Sequence, residues 1–278
     1  MKTIDMPPFA PVLMESTRAM GYSLEAAVAD IIDNSIAAKA DTVQIQFSPY
    51  TAVPFVSILD NGEGMTKEEI NDAMRYGSQS SLNERDSSDL GRFGLGLKTA
   101  SLSQCRCLTI ISKQDHKVEA RRWDLDEIYK RGSWALISLD KEDLEEIPQY
   151  QEQLKPLKHG TLVIWENLDR MLKGTATPDK LMNKQMDYVR DHLALVFHRY
   201  LAGEAGIIKL NLAINDLVVE PKDPFLMGRS TVFQADERFN IEGHPVYVSA
   251  FMLPHVSALT KKEKVALGGT EGLTKDQG

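Results

Sequence analysis

Residues 91–101 read GRFGLGLKTAS, three glycines followed by a lysine and a threonine, close to two phosphate-binding patterns and matching neither. A P-loop needs Lys directly after its second glycine; Gly91 and Gly96 have the right gap, but Leu97 stands before Lys98. The dinucleotide fingerprint wants G-x-G-x-x-G after a strand. This run is G-x-x-G-x-G and follows GSQSSLNERDSSDL, a polar segment without strand character. The sequence on either side must therefore decide what the glycines serve.

Upstream, SLEAAVADIIDNSIAA (23–38) predicts a helix, with Ser23 as N-cap and Glu25 in the first turn. At about 100° per residue, Leu24, Val28, Ile31, Ile32 and Ile36 fall on one apolar arc suited to packing on a sheet. Asp30 and Asn34 share the opposite side, among small alanines. Two apolar, partly β-branched stretches follow, TVQIQF and PFVSIL, and the second delivers Asp60 to the turn DNGEGM (60–65). Gly62 and Gly64 clear side chains from the space beside that carboxylate, leaving room for a planar heterocycle whose exocyclic amine would donate to Asp60. Thr66 with Glu69 forms a capping box for the next helix, and a polar loop from Gly77 to Leu90, long for a connection in a compact domain, leads into the glycine run.

Composition narrows the class. The 278 residues are 42% hydrophobic, enough for a large core in one domain or two smaller ones, and the net charge of −8 supplies no general attraction to nucleic acid or anionic membrane. No stretch reads as a signal peptide or a membrane span. Cys105 and Cys107 alternate on an apolar stretch, read as a strand, and without further cysteines or nearby histidines they predict buried thiols in a reducing cytoplasm rather than zinc ligands. Trp123 and Trp134 are read as packing residues.

Three motifs stand in order: acid-x-x-x-Asn in DIIDN, Asp-x-Gly-x-Gly in DNGEG and Gly-x-x-Gly-x-Gly in GRFGLG. This order and spacing resembles the GHKL ATPase superfamily of gyrase-type topoisomerases, heat-shock ATPase chaperones, histidine kinases, MutL and MORC proteins. KHGTLVIWENL supplies a fourth element, Gly160-Thr161 opening a strand. DIIDNS, RYGSQS and Lys98 make the chain most similar to MORC-like and MutL-like ATPases, especially the prokaryotic MORC-like ATPases linked to restriction and phage-defence genes.

The resemblance implies a two-layer α/β sandwich of the Bergerat type, a mixed, largely antiparallel sheet with helices on one face. LTIIS, WALISL and TLVIWE supply strands, and Lys184 to Tyr200 a long helix ending near Gly203. GEAG then marks a junction between an ATP-binding domain (1–203) and an incomplete transducer-like, S5-like α/β domain (204–278) in a truncated chain, with IIKLNLAIND and HPVYVSAFML as its strands.

For the site, the resemblance implies ATP and Mg²⁺ as cofactors. Asp60, Gly62, Gly64, Met65 and Thr161 would surround the adenine, and Gly91, Phe93, Gly94, Leu95, Gly96, Leu97 and Lys98 the phosphates. Backbone N–H groups around Gly94, Leu95 and Gly96 at a helix start suit an anion. Asn34 would ligate Mg²⁺, a hard cation that accepts an amide oxygen. Asp30 would be the general base, with Lys98 the second catalytic residue; Asp30 is one methylene shorter than the superfamily's usual Glu. The implied partners are ATP and ADP, a second copy paired in an ATP-dependent homodimer through residues 1–22 and closure of the 77–90 loop, and, through the whole protein, DNA or a defence-system protein; no membrane is among them. An ATP-sensing switch without turnover is the alternative. A histidine kinase is disfavoured because none of the 22 residues before the main helix is His.

Overall fold

The computed structural model describes residues 3, 4, 6, 8–19, 21–76, 96–229, 231–241 and 243–267. In chain order the elements are α1 (Ala10–Arg18), α2 (Leu24–Ala37), β1 (Thr42–Ser48), β2 (Phe55–Asp60), α3 (Lys67–Met74), α4 (Gly96–Gln104), β3 (Cys107–Gln114), β4 (Lys117–Asp124), α5 (Leu125–Arg131) and β5 (Ile137–Ser138). They continue with α6 (Lys141–Glu145), β6 (Gly160–Glu166), α7 (Pro178–Val196), α8 (His198–Ala202), β7 (Asn211–Ile214), β8 (Leu217–Val218), β9 (Thr231–Ile241), β10 (His244–Met252) and α9 (Lys261–Ala266).

Strands β1 to β8 form one sheet in the order β5-β4-β3-β6-β2-β1-β7-β8. Every pairing is antiparallel except β1 with β7, so the sheet is mixed and mostly antiparallel, as the motifs imply. The central strand β2 is buried along its whole length, and alternation sorts its residues. Val56 and Ile58 join Val163, Trp165, Leu108 and Ile110 in the larger core, closed by Val28, Ile31 and Ile32 of α2 and Met182, Val189 and Leu193 of α7. Phe55 and Leu59 face the other way, into a smaller core with Ile111, Leu162 and Ile164. Leu144 of α6 and Tyr150 and Leu154 of a π-helical turn cover that face. The main helical layer thus lies on one side of the sheet, and α2 is held at its centre.

The sheet runs past the junction expected at Gly203. Gly203 does end α8, at φ +66°, but Leu210, Leu212 and Ile214 are buried, and β7 adds to the free side of β1, with Asn211 N donating to Asp41 O at 2.7 Å. Residues 211–218, read from the sequence as part of a second unit, belong to the first sheet because their alternating apolar side completes the larger core. The β9–β10 hairpin is a separate two-stranded sheet. Three smaller expectations also shift: the long helix begins at Pro178 and breaks at Phe197, WALISL yields only the two-residue β5, and Cys105 precedes β3 rather than lying in it.

Helix α1 is anchored to its own chain. Arg18 is 2% exposed, donates through Nε to Leu102 O at the end of α4 (2.6 Å), and pairs with Asp169. A buried guanidinium needs such partners, because an unpaired charge there is costly. Among the described residues, no helix is long and apolar enough to cross a membrane.

Candidate nucleotide site

Ser23 caps α2 by accepting from Ala26 N (3.3 Å). With Leu24, Val28, Ile31 and Ile32 buried on the sheet, Asp30 is half-buried and Asn34 exposed on the far side. Asn34 Nδ2 donates to Asp30 O at 2.6 Å, which leaves the amide oxygen as the end free for a ligand. The neighbouring Ser35 turns back to the sheet, and its hydroxyl donates to Asp60 Oδ2 at 3.0 Å.

Asp60 closes β2 on the α2 side of the sheet. Its Oδ1 accepts from Gly62 N (2.9 Å) and Thr161 N (3.2 Å), and the side chain is 7% exposed. Burial pushes its carboxyl up from the usual range, opposed by the donors from Gly62, Ser35 and Thr161. Strand register sets Asp60 opposite Thr161, Thr161 opposite Ser112 and Ser112 opposite Glu119, a polar row across four strands. Within it the Ser112 and Thr161 hydroxyls are 2.9 Å apart, and Ser112 Oγ also accepts from Met65 N (2.8 Å). Asp60, Gly62, Gly64, Met65 and Thr161 are thus brought together at the end of β2.

The two turn glycines sit where no Cβ fits. A Cβ on Gly62 would meet Ala38 O at 2.8 Å; one on Gly64, at φ +74°, would overlap the carbonyl oxygen of Lys113. Both keep the turn tight against protein backbone, and Gly62 also keeps a side chain off the carboxylate, since its Cβ would lie 3.0 Å from Asp60 Oδ1. Glu63 N donates to Ala38 O (2.9 Å), and His159 Nδ1 lies 2.7 Å from Gly62 O, fixing the turn further.

At the other end, Gly96 opens α4 beside Asp30: a Cβ there would sit 3.6 Å from Asp30 Oδ2. The glycine run therefore approaches the acid at its last member. Gly91, Phe93, Gly94 and Leu95, like the 77–90 loop, lie outside the described residues. Burial raises the Asp30 carboxyl, opposed by a hydrogen bond from Tyr22; Asp33 is raised by burial and then by the charge of Asp30.

Lys98 and Leu97 depart from their expected roles. The Lys98 side chain is 1% exposed, and its ammonium donates to Ala73 O (2.8 Å) and Arg75 O (2.7 Å), carbonyls at the end of α3. Trp123 Nε1 takes the intervening Met74 O at 3.0 Å, so orphan carbonyls at this helix end are held by side chains. Burial lowers Lys98 to about 8, partly opposed by Asp72. Leu97 packs on the larger core. In this structure, Lys98 is a clamp on α3 rather than a free phosphate ligand.

Sequence reasoning missed Ser35, Ser112 and His159. Ser35 directly follows Asn34 in DIIDNS, and Ser112 is the polar residue ending LTIIS, so a signal existed for both. His159 carries none, because its role depends on the fold bringing residues 62 and 159 together.

A family model described as histidine kinase-, DNA gyrase B-, and HSP90-like ATPase matches residues 22–161, just over half of the chain. The matched span includes Asp30, Asn34, Asp60, the glycine run and Thr161. The chain belongs to this family of GHKL-type ATPases, which supports ATP binding and hydrolysis at a general level. It is also 30% identical over 94 residues to ATPase morc-1 of Caenorhabditis elegans, a MORC-like relation; the aligned stretch is 34% of this chain and 11% of that relative's length.

Proposed function

We propose that the chain binds ATP with Mg²⁺ and hydrolyses it, with Asp60 at the adenine and Asp30 as general base. The observation that supports this most is the approach of Gly96 to Asp30 on the face of α2 that also presents Asn34. The start of α4 directs helix N-terminal N–H groups, suited to phosphate, beside Asp30, and the carboxylate there can take a proton from water attacking the terminal phosphorus. The Asn34 amide oxygen suits Mg²⁺, which would neutralise phosphate charge when bound. Asp60 accepts from the adenine amine, while Ser112 and Thr161 extend the polar floor beside it.

Nucleotide-dependent closure of the 77–90 loop and pairing of two copies complete the reading. Ile4, Met6, Phe9 and Val12 expose most of their apolar surface, which supports contact with a second copy through the N-terminal segment. Residues beyond Val218, including the β9–β10 hairpin, are read as the start of a transducer-like unit. A role in DNA transactions or phage defence, and a cytoplasmic location, belong to this proposal as well. The second reading, a nucleotide switch without turnover, is favoured by the shorter reach of Asp30.

Asp30→Asn separates the two. It should keep ATP binding and lower single-turnover hydrolysis by ~10²–10⁴-fold, because the amide fills the same volume and cannot accept the proton. Equal hydrolysis by the variant and the parent protein would remove Asp30 as base.

A further inference from the structure

Ser112 stands third in the polar row that crosses the sheet from Asp60, between Thr161 of β6 and Glu119 of β4, and it is fully buried. Two other segments meet at its hydroxyl. Met65 N donates to it at 2.8 Å, the Thr161 hydroxyl lies 2.9 Å away, and Gly160 O lies at 3.3 Å. Glu119, next in the row, is held by Arg121 at 3.2 Å.

A hydroxyl carries one proton, so the direction of the Ser112–Thr161 bond decides what Thr161 can offer a ligand. Hydrogen bonds between oxygens fall at about 2.5–3.0 Å, which makes Thr161 Oγ1 the better acceptor and leaves Gly160 O outside the range. If Thr161 donated instead, the Ser112 proton would have only that long contact, and burial keeps solvent from compensating. Ser112 therefore donates to Thr161. The Thr161 hydroxyl keeps its own proton for the space beside Asp60. Of the lone pairs on Asp60, Oδ1 gives two to Gly62 N and Thr161 N and Oδ2 gives one to Ser35, so one on Oδ2 remains for an incoming donor. Opposite each other in register, Asp60 and Thr161 thus present an acceptor and a donor side by side.

We propose that Ser112 is a specificity-determining positioning residue of the nucleotide site. By giving its proton to Thr161 it sets Asp60 and Thr161 as an acceptor–donor pair, which selects the amine and bare ring nitrogen of adenine over the oxo group and ring N–H of guanine. This rests on adenine lying at Asp60. Ser112 touches no ligand; its effect passes through Thr161.

The probes are ADP and 1-deaza-ADP, in which CH replaces the ring nitrogen beside the amine and the amine is kept, each titrated calorimetrically with Mg²⁺. The parent protein should bind ADP about fivefold more tightly, the equivalent of one net hydrogen bond. Ser112→Ala should bring that ratio close to one. Thr161→Val, which keeps the shape of the side chain, should do the same, and the double variant should show no further change. A ratio taken within one protein cancels any general loosening of the site, so a purely structural role for Ser112 lowers both affinities and leaves the ratio at its parent value. That result, or a parent protein that does not distinguish the two ligands, overturns the Ser112 role. Asp60→Ala tests the reading beneath it. If that variant keeps the parent affinity for ADP, adenine does not lie at Asp60 and both proposals fall; if it loses ADP while Ser112→Ala keeps the parent ratio, only the Ser112 role falls.

Discussion

Asp60 and Asp30 are two carboxylates on the same side of one sheet, held in opposite ways. Asp60 is 7% exposed and accepts from two backbone N–H groups and the Ser35 hydroxyl. Asp30 is half-buried, with Gly96 of α4 beside its carboxylate. The difference fits the roles proposed for them. A group that recognises a fixed edge gains from being rigid before the ligand arrives, whereas a base must expose a lone pair to a water that comes with the substrate. Lys98 belongs with the rigid end, since its ammonium holds α3.

The largest effect should come from breaking the rigid carboxylate. Asp60→Ala removes the adenine acceptor and leaves Ser35 and two backbone N–H groups without it; ADP affinity should fall by ~100-fold or more, and stability by about 1–3 kcal/mol. Calorimetric titration and urea unfolding measure the two. Affinity retained in that variant would move the adenine away from Asp60. Next, Gly64→Ala should cost about 1–3 kcal/mol, because the new Cβ overlaps the Lys113 carbonyl at a backbone angle that favours glycine. Stability equal to the parent protein would show that the turn yields and that this end is less rigid than Asp60 implies.

The smallest effect concerns Lys98. Burial lowers it from 10.5 to about 8, so between those values the folded chain binds fewer protons than the unfolded one, and stability should rise with pH across that window. The same contribution is lost as pH falls through about 8. Lys98→Met should flatten the rise in urea unfolding carried out at both ends of the window; a variant with the parent's slope would show that Lys98 does not titrate there.

The rigid end was also the more legible in the sequence. Capping by Ser23 and Thr66, the apolar arc of α2 and the strand leading to Asp60 are local patterns, and each appears where the residues put it. What was not legible depends on contacts between distant segments. The clamp of Lys98 on Ala73 and Arg75 needs α3 and α4 side by side, and β7 joins β1 only because residues 42 and 211 become neighbours. Helix α1 was missed as well, since its nine residues owe their place to Arg18 reaching Leu102 and Asp169 rather than to a strong apolar stripe. The glycines of DNGEG were legible as points of close approach, and the fold adds that the Ala38 and Lys113 carbonyls approach them as well as Asp60 Oδ1.

The central claim, that recognition and chemistry rest on separate carboxylates, is tested most directly by the ADP-induced melting shift in three proteins measured side by side. With Mg²⁺ and ADP at 100 times the dissociation constant, the parent protein and Asp30→Asn should both gain about 2.7 kcal/mol of stability, and Asp60→Ala should gain almost none at the same concentration. A flat response in the parent protein, or a shift lost in Asp30→Asn and kept in Asp60→Ala, would contradict the account.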